Sequence, residues 1–217
     1  MNANLAAWVA HVFDHPVAER EWHGESDSPT WESTAADTAA LIAETFERAE
    51  ELMAGFSDEQ VNQGLSYLLS GNGCLFTLCR SEVAMPIRKR AMRSLVPLFE
   101  QVMSVRCANT LSHLDEPGGR PLNGLCYMWW DIGMYLMPKE DAQLSEFDLE
   151  TLSVMRRILA IPHDACRESA LHGLGHWDWG MGGPDTSAII ADFLSRTPSL
   201  RPELIRYAEC AQIGYVN

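Results

Sequence analysis

Glu168, His172 and His176 recur at i, i+4 and i+8 within the stretch Pro162–Trp177. On a helix they fall within about 80° of one another, so they line one face. Two imidazoles one turn apart can share a divalent transition metal, with the carboxylate as a third ligand or as a base. That is metal-assisted hydrolytic chemistry, with zinc or manganese as the ion. The spacing is HxxxH without the glutamate of HExxH, so zincin chemistry is not expected. Asp131, in the aromatic segment around Tyr127, Trp129 and Trp130, is the residue that would complete or orient such a shell from a neighbouring helix. The plainer alternative is a hydrogen-bonded surface patch of Glu168 and the two histidines. Ala170, Leu171, Leu174 and Trp177 occupy the opposite stripe of the same helix, so the polar stripe is expected to point away from the core.

No other catalytic signature is present. The chain has no GxSxG elbow, no GxxxxGK[ST] phosphate loop and no GxGxxG run. Its six cysteines are scattered, with no CxxC pair, which fits reduced, buried thiols rather than a zinc finger or a disulfide framework.

These residues must be positioned by helices. Apolar residues recur at i, i+3 and i+4 along most of the chain, while alternating strand-like runs are nearly missing. The pattern predicts helices near 3–13, 35–54, 58–70, 73–81, 86–96, 98–112, 122–137, 146–160, 163–177, 185–196 and 201–213. Ser57 with Gln60 forms a capping-box pattern, and Ser145 is placed to cap the helix that follows it. Residues 14–34 read as an irregular acidic stretch. The segment 122–137 is apolar nearly all round, which marks a central helix. Its second face carries Tyr127, Trp130, Asp131 and Met134, which reads either as an aromatic recognition surface with one polar anchor or as a second core layer in which Asp131 is satisfied by an arginine or a helix N-terminus.

The charge is lopsided. The 217 residues carry 16 basic and 30 acidic side chains for a net charge of −14. Residues 1–60 hold thirteen of the acids against two bases, Arg20 and Arg48. Such a chain disfavours nucleic acid and anionic membranes and favours a basic protein partner. The short basic run Arg88, Lys89, Arg90 and Arg93 is expected to pair internally with the acidic helix that carries Glu44, Glu47, Glu50 and Glu51. The N-terminus has no basic leader pattern, and the densest apolar run is too short to span a bilayer, so a cytoplasmic protein is expected. Nothing in the sequence sets an oligomeric state.

An internal repeat points to an architecture. Arg88-x-x-Ala91-x-x-x-Leu95 recurs as Arg167-x-x-Ala170-x-x-x-Leu174, at an offset of about twice the roughly 40-residue HEAT period. Over about residues 57–213 the chain resembles HEAT-like (armadillo-type) α-helical repeat proteins, and Pro162–Trp177 looks like the inner helix of such a repeat. The resemblance implies an all-α, right-handed α-α superhelix of four to five helical hairpins. The expected organisation is one domain over 1–217, with an acidic arm at 1–34 and a helical body at 35–213. Families of this type are mostly scaffolds and protein binders, and together with the acidic charge this leads to the expectation of a non-enzymatic protein-binding module, immunity- or scaffold-like and without a cofactor. A basic partner would be held in a concave groove by Tyr127, Trp130, Asp131, Glu168, His172, His176, Trp177 and Trp179. The alternative is the metal-binding protein or metal-dependent hydrolase built on Glu168, His172 and His176.

Overall fold

Helical periodicity becomes helix almost everywhere in the computed structural model, which describes residues 3–18, 21–24, 29–70, 74–132, 144–178 and 186–216. The helices are α1 (Ala3–Phe13), α2 (Ala35–Glu47), α3 (Ala49–Met53), α4 (Asp58–Leu69), α5 (Met85–Arg93), α6 (Leu95–Leu98), α7 (Ser104–Arg106), α8 (Pro121–Ile132), α9 (Glu146–Leu159), α10 (Asp164–Asp178), α11 (Thr186–Arg196) and α12 (Pro202–Ala211). No strand occurs among the described residues. The protein is therefore all-α, as the sequence pattern indicates. None of its described helices is long and apolar enough to cross a membrane.

Local signals set most boundaries. Ser57 accepts from the Gln60 amide while the Gln60 side chain accepts from the Ser57 N–H, a complete capping box at the start of α4. Ser145 and Asp148 form the same reciprocal pair before α9. Two expected α-helices take other forms. Cys74–Cys79 is a 3-10 helix. Its buried Leu75 and Leu78 lie three residues apart and so share a face at three residues per turn. The expected helix over 98–112 is instead the last residue of α6, a π-turn at Phe99–Met103 and the short α7. Pro97 lies just upstream and withholds an N–H from the ladder. The chain then turns extended at Cys107, which ends the helical run.

The chain divides into two compact units, Met1–Val102 and Met103–Asn217. In the first, α1 packs on α2 and α4, and α2 packs on α5 and α6. The buried set Leu5, Trp8, Val9, Val12 and Phe13 builds α1 into this core, and Trp8 Nε1 donates to Thr45 Oγ1 of α2 at 3.0 Å. Gly64 permits the approach of α4 to α1, since a Cβ there would stand 2.7 Å from the Val12 carbonyl oxygen. The basic run does pair internally: Arg90 on α5 reaches Glu47 on α2 at 2.6 Å.

In the second unit, α10 is the hub, packed against α8, α9, α11 and α12. Its closest partner is α8. Gly173 lies against Trp130, where a Cβ would be 2.6 Å from Trp130 Cγ. With a side chain at 173 the two helices could not approach this closely. That approach places Asp131, next to Trp130, beside His172 and His176.

Candidate metal centre

Three side chains converge where α8 meets α10. Asp131 comes from the last turn of α8, and His172 and His176 come from successive turns of α10. His176 Nε2 lies 3.0 Å from His172 Nε2 and 3.3 Å from Asp131 Oδ1, and the three potential ligand atoms lie within 4.8 Å of one another. Donors about 2.1 Å from a tetrahedral zinc stand about 3.4 Å apart, so the cluster needs only small adjustments to take an ion. His172 is 2 % exposed, whereas the His176 and Asp131 side chains are 23 % and 31 % exposed. The centre is anchored in the core and opens on one side.

The protonation pattern suits metal binding. Tyr207 of α12 donates its hydroxyl proton toward the Tyr127 hydroxyl at 3.4 Å, and the His172 Nδ1 lies 2.7 Å from the same Tyr207 oxygen. In the tautomer whose Nδ1–H donates to the Tyr207 oxygen, His172 Nε2 keeps its lone pair toward His176 and Asp131. This is the arrangement in which an outer hydrogen bond fixes the tautomer of a metal-ligating histidine. Burial keeps both tyrosines protonated by pushing their hydroxyls above the ordinary range, Tyr207 far above it. Burial, followed by the nearby His176, lowers His172 to about 4. The ring is therefore neutral at physiological pH, as a ligand must be.

That shift has a consequence for stability. An imidazole that resists protonation in the fold but titrates near 6.5 when unfolded makes the unfolded state bind more protons on acidification. Its contribution is fully present above pH 6.5 and is lost as pH falls toward about 4. Urea midpoints should decline across this interval, and His172→Gln should flatten that part of the profile.

Glu168 does not join the centre. It is 0 % exposed, and it accepts from the Ser112 N–H at 2.9 Å, the His113 N–H at 3.0 Å and the His113 ring Nδ1 at 2.5 Å. The stripe Glu168–His172–His176 runs along the helix for about 12 Å, and its first member is used by the turn Ser112–Leu114. Nor does the stripe face outward. Glu168 and His172 are buried because α10 is covered by four other helices. Tyr127, Trp130 and Trp177 are buried as well, at 9 %, 3 % and 2 % exposure, which corrects their expected place on an open groove. Trp179 lies outside the described residues. The structure thus brings Asp131, His172 and His176 together and assigns Glu168 elsewhere.

Two further residues, His113 and Tyr207, belong to the polar array around the centre. His113 stacks on Tyr207 with ring centroids 4.2 Å apart, and the Tyr127 ring lies 4.5 Å from His172. Neither His113 nor Tyr207 has a partner within one helical turn that would have marked it in the sequence. Fold and site together define an all-α protein with a semi-buried Asp/His/His cluster between two helices. No known protein family matches the chain, and neither a curated protein nor a solved structure is significantly similar to it.

Proposed function

We propose that this chain is a metal-binding protein whose second unit holds one divalent ion, zinc in preference to manganese, on Asp131, His172 and His176. Two neutral imidazoles and one carboxylate suit zinc better than manganese, which favours oxygen donors. The observation that carries the reading is the convergence of three ligand atoms within 4.8 Å, with His172 Nδ1 held 2.7 Å from the Tyr207 hydroxyl. Three protein ligands leave a further position for water, as in catalytic rather than closed structural zinc sites. The reaction class this favours is metal-assisted hydrolysis.

Titration of chelator-treated protein with Zn²⁺ or Co²⁺ is expected to give one equivalent bound per chain. Binding should raise the unfolding free energy by about 4 kcal/mol at a free-ion concentration a thousandfold above Kd. His172→Ala and His176→Ala should each abolish the stoichiometric equivalent, and Asp131→Asn should weaken it. Unchanged thermal unfolding across the titration, with no stoichiometric uptake, would remove the proposal. The groove-binding reading, with its HEAT-like hairpins and basic partner, has less support, because five of its eight residues are buried: Tyr127, Trp130, Glu168, His172 and Trp177.

A further inference from the structure

A cavity of about 250 Å³ opens on α12, outside the three candidate ligands, and its lining includes His113, Leu114, Tyr207, Cys210 and Tyr215. Local turns build two of its walls. Past α12 the Tyr215 N–H reaches the Cys210 carbonyl at 3.0 Å and the Gly214 N–H reaches the Ala211 carbonyl at 3.1 Å, with Gly214 at a φ of 70°. This is a Schellman stop with glycine at the left-handed position, and it turns the chain so that Tyr215 shares the cavity with Cys210. The turn Ser112–Leu114 supplies His113, whose ring stacks on Tyr207 with centroids 4.2 Å apart. The buried Glu168 carboxylate accepts from the His113 backbone N–H at 3.0 Å, and the ring Nδ1 lies 2.5 Å from the same oxygen. In the neutral ring this makes Nδ1 the donor and leaves Nε2 an acceptor. No described residue bonds to Nε2, and the side chain is 14 % exposed at the cavity. The charged residues on the lining, Arg206 and Glu203, are paired with one another at 3.4 Å, and Glu203 also meets Arg201 at 3.3 Å. Leu114 and Tyr215 are 47 % and 63 % exposed, so apolar surface is left uncovered beside an ordered acceptor.

We propose that this cavity binds a small uncharged aromatic molecule bearing one O–H or N–H donor, a phenol or an indole, with its ring against Tyr215 and Leu114 and its donor on His113 Nε2. The volume lies below the roughly 300–1,000 Å³ of sites that enclose drug-sized ligands, which limits the ligand to one or two rings. Three ring side chains on the lining, His113, Tyr207 and Tyr215, favour a flat aromatic partner over an aliphatic one. The acceptor is ordered in advance, because Glu168 holds the His113 ring at Nδ1 and Tyr207 holds its plane. Binding therefore pays little for fixing it. An anionic ligand meets no free cation, since Arg206 is held by Glu203. A cationic ligand meets no free carboxylate, since Glu203 serves two arginines and Glu168 is wholly buried on its own donors. None of this depends on a metal at Asp131, His172 and His176.

The test uses the full chain in excess chelator, with p-cresol as the probe. Toluene and 4-methylbenzoate are the comparisons, the same ring without a donor and with a negative charge. NMR titration is expected to show one saturable site for p-cresol, with Kd on the order of 100 μM and shifts centred on the rings of His113 and Tyr215. Toluene should bind about tenfold more weakly for want of one hydrogen bond, and 4-methylbenzoate should bind no better than toluene. Tyr215→Ala removes a mostly exposed ring, so the fold should stand while p-cresol binding weakens about tenfold. His113→Phe keeps a flat ring without Nε2 and should bring p-cresol down to the affinity of toluene. The toluene comparison on the wild type makes the same measurement where that variant fails to fold. No saturable binding of p-cresol, shifts confined to another part of the chain, toluene binding as tightly as p-cresol, 4-methylbenzoate binding more tightly, or an unchanged affinity in Tyr215→Ala would each overturn the proposal. Because chelator is present throughout, failure here leaves the metal reading standing, and the reverse also holds.

Discussion

Glu168→Ala is expected to lower the unfolding free energy by about 3–5 kcal/mol. The carboxylate has no contact with solvent and accepts the Ser112 N–H, the His113 N–H and the His113 ring proton. Alanine supplies no acceptor, so two backbone donors and a ring donor are left without partners in a place water does not reach. Each such orphan costs about 1–3 kcal/mol. The turn Ser112–Leu114 also loses its tether to α10, and His113 loses the contact that orients it. Urea unfolding would show this as a lower midpoint at unchanged slope. The half-exposed pair Arg90–Glu47 is the comparison, since Arg90→Ala should cost less than about 1 kcal/mol. Equal losses for the two variants would mean that burial adds nothing to the Glu168 contacts.

The second large effect concerns Gly173. A Cβ at this position would lie 2.6, 2.8 and 2.9 Å from Trp130 Cγ, Cδ1 and Cβ. Trp130 is 3 % exposed and has no open side to move into, so Gly173→Ala must part α10 from α8. Overpacking of this kind costs about 1–3 kcal/mol. The functional loss should be larger than the stability loss suggests. Asp131 follows Trp130 and His172 precedes Gly173, so separating the helices opens the gap between the ligands themselves. Zinc affinity should fall at least about tenfold, as a metal site tolerates little ligand displacement. Calorimetric titration checks this, with Gly124→Ala as the control. Gly124 lies on α8 with nothing within 4 Å of a Cβ, so alanine there should stabilise the helix by about 0.5–1 kcal/mol and leave metal binding unchanged.

Both predictions rest on contacts between segments far apart in the chain, and this separates what was legible in the sequence from what was not. The helices were legible because their causes are local. The capping boxes at Ser57/Gln60 and Ser145/Asp148 act over three residues, and α1 and α10 lie within a residue of their expected bounds. The His172–His176 pair was legible for the same reason, since one helical turn sets its geometry. Asp131 was nameable as a partner from a neighbouring helix, but its place beside the histidines is decided by how closely Gly173 lets α8 approach α10. The sequence also left open which side of α10 is covered. A helical wheel ranks residues around an axis and says nothing of where the other helices lie, so the stripe expected at a groove is buried at Glu168 and His172. The capture of Glu168 by the turn at Ser112–Leu114, and the roles of His113 and Tyr207, depend on segments tens of residues away. Short-range sterics and hydrogen bonds wrote the helices into the sequence, whereas the partners of each polar side chain were set by packing between them.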